Sequence, residues 1–93
     1  MANNLIISYD LISPGQNYEK VAEKIKSLGM WAKVHKSVWY VKSTYSASDA
    51  SSIVWAVMDK NDTLFVVDST NNQASWYNLS EEVSKFIKEK WNT

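Results

Sequence analysis

Cysteine is absent from this sequence, which removes any disulfide framework and any thiolate metal site. Arginine is absent too: all ten basic residues are lysine. Arginine's planar fork reads phosphates and guanine edges bidentately, so its absence weighs against sequence-specific nucleic-acid recognition. Ten acids balance the ten lysines, and a net charge of zero weighs against a strong non-specific polyanion binder. No apolar run approaches the ~20 residues of a membrane span, and MANNLIISYD lacks a basic region leading into an apolar stretch. The expectation is a cytoplasmic protein without membrane contact. With two glycines, one proline and one histidine, there is no glycine-rich phosphate loop, no Ser-His-Asp set and no Cys/His metal spacing.

Large rings, by contrast, are abundant. Five Trp and five Tyr in 93 residues are more than one small core can hide. Some must lie at an interface, and a homodimer is the simplest cover. The chain reads as one domain, with a core over about residues 4–68 and a C-terminal extension over about 69–93.

Residues 5–10 alternate as a strand, with Leu5, Ile7 and Tyr9 on one face and Ile6, Ser8 and Asp10 on the other. Ser13-Pro14-Gly15 is a turn. NYEKVAEKIKSLG then reads as an amphipathic helix with Tyr18, Val21, Ala22, Ile25 and Leu28 on its apolar stripe. Gly29 stands where a helix end favours positive φ. WAKVHKSVWYVKS predicts two strands, about 31–35 and 37–43, joined by a tight turn or bulge near Lys36. Ser46 with Asp49 resembles a capping box opening a helix lined by Ala50, Ile53, Val54, Val57 and Met58, with Trp55 off the stripe. TLFVVD, 63–68, is an apolar strand.

The order βαββαβ predicts an α+β, ferredoxin-like sandwich. Two crossovers would place strands 1 and 3 side by side, which we expect to be parallel. Asp10 would then end a central strand, beside Asp62, Thr63 and Lys42, with Asp68 at the opposite edge. Beyond the core, Asn71-Asn72 marks a turn, ASWYN a short fifth strand, and SEEVSKFIKEKW a closing helix with Val83, Phe86, Ile87 and Trp91 on one side.

Taken together, Ile7-Ser8-Tyr9-Asp10, Leu28-Gly29 and Lys36-Ser37-Val38-Trp39, in this order and spacing, resemble the small CRISPR-associated adaptation protein family. That family also takes in the relatives of virulence-associated protein D. The resemblance covers roughly residues 4–68, and the tail is more similar to a group of small relatives of that family. It implies a ferredoxin-like homodimer whose strand-1 Asp faces its dimer mate. In members reported as nucleases, the paired Asp residues hold a divalent ion and activate water; other members bridge partner subunits without catalysis. Carried over, the catalytic and metal-ligating role falls on Asp10 alone. Leu11, Ile12 and Ser13 follow where many members carry a second acid, and Trp39 stands where Phe is common.

Each candidate has two readings. Asp10 is either a ligand of Mg²⁺ or Mn²⁺ shared with its symmetry mate, or an acid paired with Lys42 or capping the turn at 13–15. Asp59 and Asp62 would enlarge an acidic pocket or serve ordinary turn chemistry. His35 is a general base or an edge side chain. Between Lys20 and Lys42 only Glu23 opposes six lysines. Of these, Lys33, Lys36 and Lys42 would track a phosphate backbone, with Trp31 or Trp39 as stacking face, or would form a solvated strand face. Trp55, Trp76, Tyr77 and Trp91 read as core and dimer packing. Two functions follow: a dimeric nucleic-acid-associated protein (RNA or DNA) with metal-dependent endonuclease chemistry at Asp10, or a non-catalytic dimeric adaptor for a protein partner or small ligand.

Overall fold

The computed structural model describes residues 2–12 and 18–91; the turn expected at 13–15 lies outside the described residues. The elements run β1 (Asn3–Asp10), α1 (Tyr18–Lys26), β2 (Gly29–His35), β3 (Val38–Ser43), α2 (Ala47–Trp55), β4 (Thr63–Asp68), β5 (Gln73–Tyr77) and α3 (Glu81–Lys90). They build one five-stranded sheet in the order β2-β3-β1-β4-β5, every neighbouring pair antiparallel. This is a ferredoxin-like sandwich with an added strand and helix.

Alternation in the central strands sets the layers. Leu5, Ile7 and Tyr9 of β1, Trp39 and Val41 of β3, and Leu64 and Val66 of β4 point to one face and are buried. Against them pack Val21 and Ile25 of α1, Leu28 beyond it, and Ala47, Ala50 and Val54 of α2. Helix α1 lies over β2 and β3, while α2 lies over β4 and β5. Ser46 caps α2 by accepting from the Asp49 N–H at 3.0 Å, as its spacing predicts.

Three expectations change. Strand β3 runs antiparallel to β1, from Asn3 opposite Ser43 to Ser8 opposite Val38. The crossover through α1 makes β1 parallel to β2, and β3, the hairpin partner of β2, inserts between them and must oppose both. Lys42 therefore sits opposite Asn4, at the start of β1. Six residues, or about 20 Å of strand, separate that level from Asp10.

Second, Gly29 does not end the helix with positive φ. It opens β2 opposite Ser43, where a Cβ would overlap the Lys42 carbonyl oxygen. Close backbone approach is what this glycine permits. Third, Tyr18, placed on the apolar stripe by periodicity, is 44% exposed.

The β2–β3 turn consists of Lys36 and Ser37 alone, with a register shift between Lys33 and His35. That bulge supplies the twist that a Gly or Asn turn would otherwise provide. The β4–β5 turn is organised by the buried Asp68, whose Oδ1 accepts from the Thr70 and Asn71 N–H groups at 3.0 and 3.2 Å. Asn72 follows with φ 53°.

Candidate nucleic-acid interface

Asp10 closes β1 opposite Thr63 and is exposed. It shares the sheet's outer face with Ile6 and Ser8. Beside it, the Tyr9 N–H donates to the Ser37 carbonyl at 3.1 Å, so the β2–β3 turn lies at Asp10's end of the sheet. His35, opposite Val38, belongs to that end as well. Lys42 lies at the other end and forms no part of the group.

The two other acids expected near Asp10 are engaged in the chain's own turns. Asp62 is fully buried; its Oδ1 accepts from the Ile12 N–H at 3.1 Å and its Oδ2 from the Asp59 N–H at 2.8 Å. Asp59 Oδ1 accepts from the Asn61 N–H at 3.0 Å. Asn78, with φ 64°, fastens the same loop by donating to the Asp62 and Lys60 carbonyls at 2.8 and 3.0 Å. These carboxylates tie the β4 entry to the β1 exit, which is turn chemistry. No group of three His, Cys, Asp or Glu side chains among the described residues is placed to hold a metal ion. Asp10 is therefore not grouped with two further ligating side chains of its own chain among the described residues.

A different cluster forms where α1 meets β2. Lys26 Nζ lies 4.8 Å from the centre of the Trp31 ring. Lys33 Nζ lies 5.5 Å from Trp39, and Lys36 Nζ 5.8 Å from Tyr18. Trp31 meets Trp39 edge-on, with centroids 5.4 Å apart and planes at 61°. The register explains the grouping: Trp31 opposes Val41 and Lys33 opposes Trp39, so both point to the helix-covered side of the sheet. Strand β2 is the sheet's edge and every residue of it is exposed, so Trp31 meets Lys26 of α1 and Lys33 lies over Trp39 at the margin of the core.

Of the two tryptophans expected to stack with bases, Trp39 is only 2% exposed and is committed to the core, while Trp31 is 46% exposed. Lys33 and Lys36 belong to the flank; Lys42 does not. Lys26 and Tyr18 were missed. The lysine excess between residues 20 and 42 was the available signal, but helical periodicity alone assigned Lys26 to a solvated face and Tyr18 to the core.

The remaining aromatics hold the extension in place. Trp55 stacks on Tyr77, Trp76 Nε1 donates to Ser84 Oγ at 2.9 Å, and Trp91 Nε1 donates to the Asn72 carbonyl at 2.9 Å. No described helix is long and apolar enough to cross a membrane. No family model matches the chain, nor does any curated protein or solved structure.

Proposed function

We propose that this is a nucleic-acid-associated protein, of the kind the small CRISPR-associated adaptation family comprises, that binds single strands along the α1–β2 flank. The supporting observation is the set of three lysine ammoniums: Lys26 over the exposed Trp31 ring, Lys36 beside the exposed Tyr18 ring, and Lys33 between them over the buried Trp39. Lysines contribute attraction to phosphates, and a half-exposed ring offers a π-face to any base. Without arginine the contact carries little sequence discrimination. Metal-dependent hydrolysis belongs to this reading only if a second Asp10 joins the first at one ion.

Fluorescence anisotropy of short labelled RNA and DNA single strands tests it. Neutralising three phosphates gives an affinity loss of about 20-fold between ~50 and ~200 mM salt. Replacing Lys26, Lys33 and Lys36 together by Ala should abolish binding, while Lys42→Ala should leave it unchanged. Absence of binding at low salt, or equal losses in both proteins, would refute the assignment.

The alternative, a non-catalytic adaptor, is favoured by one feature of its own: the outer face of the sheet carries the exposed apolar side chains of Ile6 and Met30.

A further inference from the structure

Helix α3 lies against the outer face of the sheet through Trp76, which bonds Ser84, and Phe65, which meets Phe86, Ile87 and Trp91. Because β4 neighbours β1 while β5 is the edge, Phe86 and Lys90, which line a cleft with Phe65, are on the β1 side of the helix. That cleft measures about 280 Å³, and the Lys90 ammonium lies 5.9 Å from the centre of the Phe86 ring. A second hollow of about 240 Å³ is lined by Met30, Trp31, Ala32, Tyr40 and Lys42. Between the two stands Ile6, which opposes Tyr40 on one side and Val67 on the other. It is 37% exposed, although it belongs to the central strand.

Charge on this face is sorted by end. Strands β1 and β3 carry one cation between them, Lys42, and one acid, Asp10. Lys42 opposes Asn4 and Asp10 opposes Thr63, so the two lie at opposite ends of β1. Lys90 precedes Trp91, whose indole bonds Asn72 in the β4–β5 turn. That turn is at the Asn4 end, since the Ser69 N–H donates to the Asn4 carbonyl. Both lysines therefore belong to one end, with two strand spacings, or roughly 10 Å, between their strands. Asn4 is between them; its Oδ1 accepts from the Tyr40 hydroxyl at 2.6 Å, which leaves its Nδ2 as a donor. Two nearby acids are engaged elsewhere. Asp68 is buried and bonded within its own turn, and Glu89 lines grooves on the helix's outward side.

We propose that this face binds a free amphipathic carboxylate, a single acyl chain with its head at the Asn4 end. The head accepts from Lys42, Lys90 and the Asn4 amide, donors suited to two oxygens that share one charge. The chain runs over Ile6, between Tyr40 and Phe86, towards the level of Ser8, a path of about 13 Å. Asp10 at the far end disfavours the reversed orientation. A bilayer is the poorer fit, because Asp10 would meet its anionic surface together with the lysines. The site uses neither the α1–β2 flank nor a second chain.

Titration with decanoate below its micellar concentration, followed by amide NMR, tests this without nucleic acid. Amides of Asn4, Ile6, Tyr40, Phe65 and Phe86 should shift, while those of Lys26 and Lys36 stay in place. Hexanoate, with a shorter chain to bury, should bind about tenfold more weakly. Decanol, with the same chain and no charge, should also lose about tenfold. Lys42→Gln and Lys90→Gln, both at exposed positions, should each weaken decanoate about threefold with an unchanged circular dichroism spectrum. Neither should alter oligonucleotide affinity, so each of the two proposals can fail alone. No shift with decanoate, equal affinity for decanol, or undiminished affinity in both lysine variants would overturn the assignment. So would binding confined to phosphatidylglycerol vesicles, which would make the face a membrane surface instead.

Discussion

Trp39 Nε1 donates to the Tyr9 hydroxyl at 3.2 Å inside the core, and the Tyr9 N–H donates to the Ser37 carbonyl. Two of the short motifs that carried the family resemblance, around Tyr9-Asp10 and Ser37-Val38-Trp39, are thus one structural unit. Tyr9→Phe keeps the shape and removes only the acceptor, leaving a buried indole N–H unpaired. The expected loss is about 1–3 kcal/mol, read as a shift in the urea midpoint with unchanged slope.

Gly29→Ala should destabilise the fold although the position is a solvent-exposed edge. The new methyl meets the Lys42 carbonyl, which belongs to the sheet ladder and cannot move alone. A loss of about 1–3 kcal/mol is expected, in the range of overpacking. Thermal unfolding checks it; a neutral result would mean that the β2–β3 pairing yields at this point.

Asp62→Asn should also be costly. The carboxylate accepts from Ile12 and Asp59 N–H groups through its two oxygens, and an amide would set its NH₂ against one of them. About 1–3 kcal/mol should be lost in chemical denaturation.

Asp10→Ala, by contrast, should change stability by no more than about 0.5 kcal/mol, since Asp10 is exposed at a strand end. Incubated with RNA and DNA in Mg²⁺, Mn²⁺ or chelator, wild type and variant should behave alike. Metal-dependent cleavage lost in the folded Asp10→Ala variant would restore the nuclease reading.

Much of the fold was legible because each element carries its own local signal. Alternation in LIISYD, the stripe of Val21 and Ile25, and the Ser46 cap all mark structure within a few residues. What was not legible depends on pairing between distant segments. The direction of β3 against β1 follows from the crossover, not from its residues, and an error there moved Lys42 by the length of a strand. The turn chemistry read for Asp59 and Asp62 holds: the Asn61 N–H that Asp59 binds is local, while one of Asp62's partners, the Ile12 N–H, is far away in sequence and could not be read from it. Lys33, Lys36 and Trp31, which the structure brings to the α1–β2 flank, were named from composition. Tyr18 was not, because a helix packed on an edge strand exposes a residue that periodicity would bury, and Lys26 was not, because its approach to Trp31 depends on how α1 meets β2.

The most direct measurement is a two-dimensional amide and indole NMR titration with a short single-stranded oligonucleotide at low salt. Of the five indole signals, that of Trp31 should move first, with amides of Lys26, Lys33 and Lys36 beside it and those around Lys42 unmoved. Shifts centred on Asp10 and the outer sheet face, or none at all, would contradict the assignment of the α1–β2 flank as the binding surface.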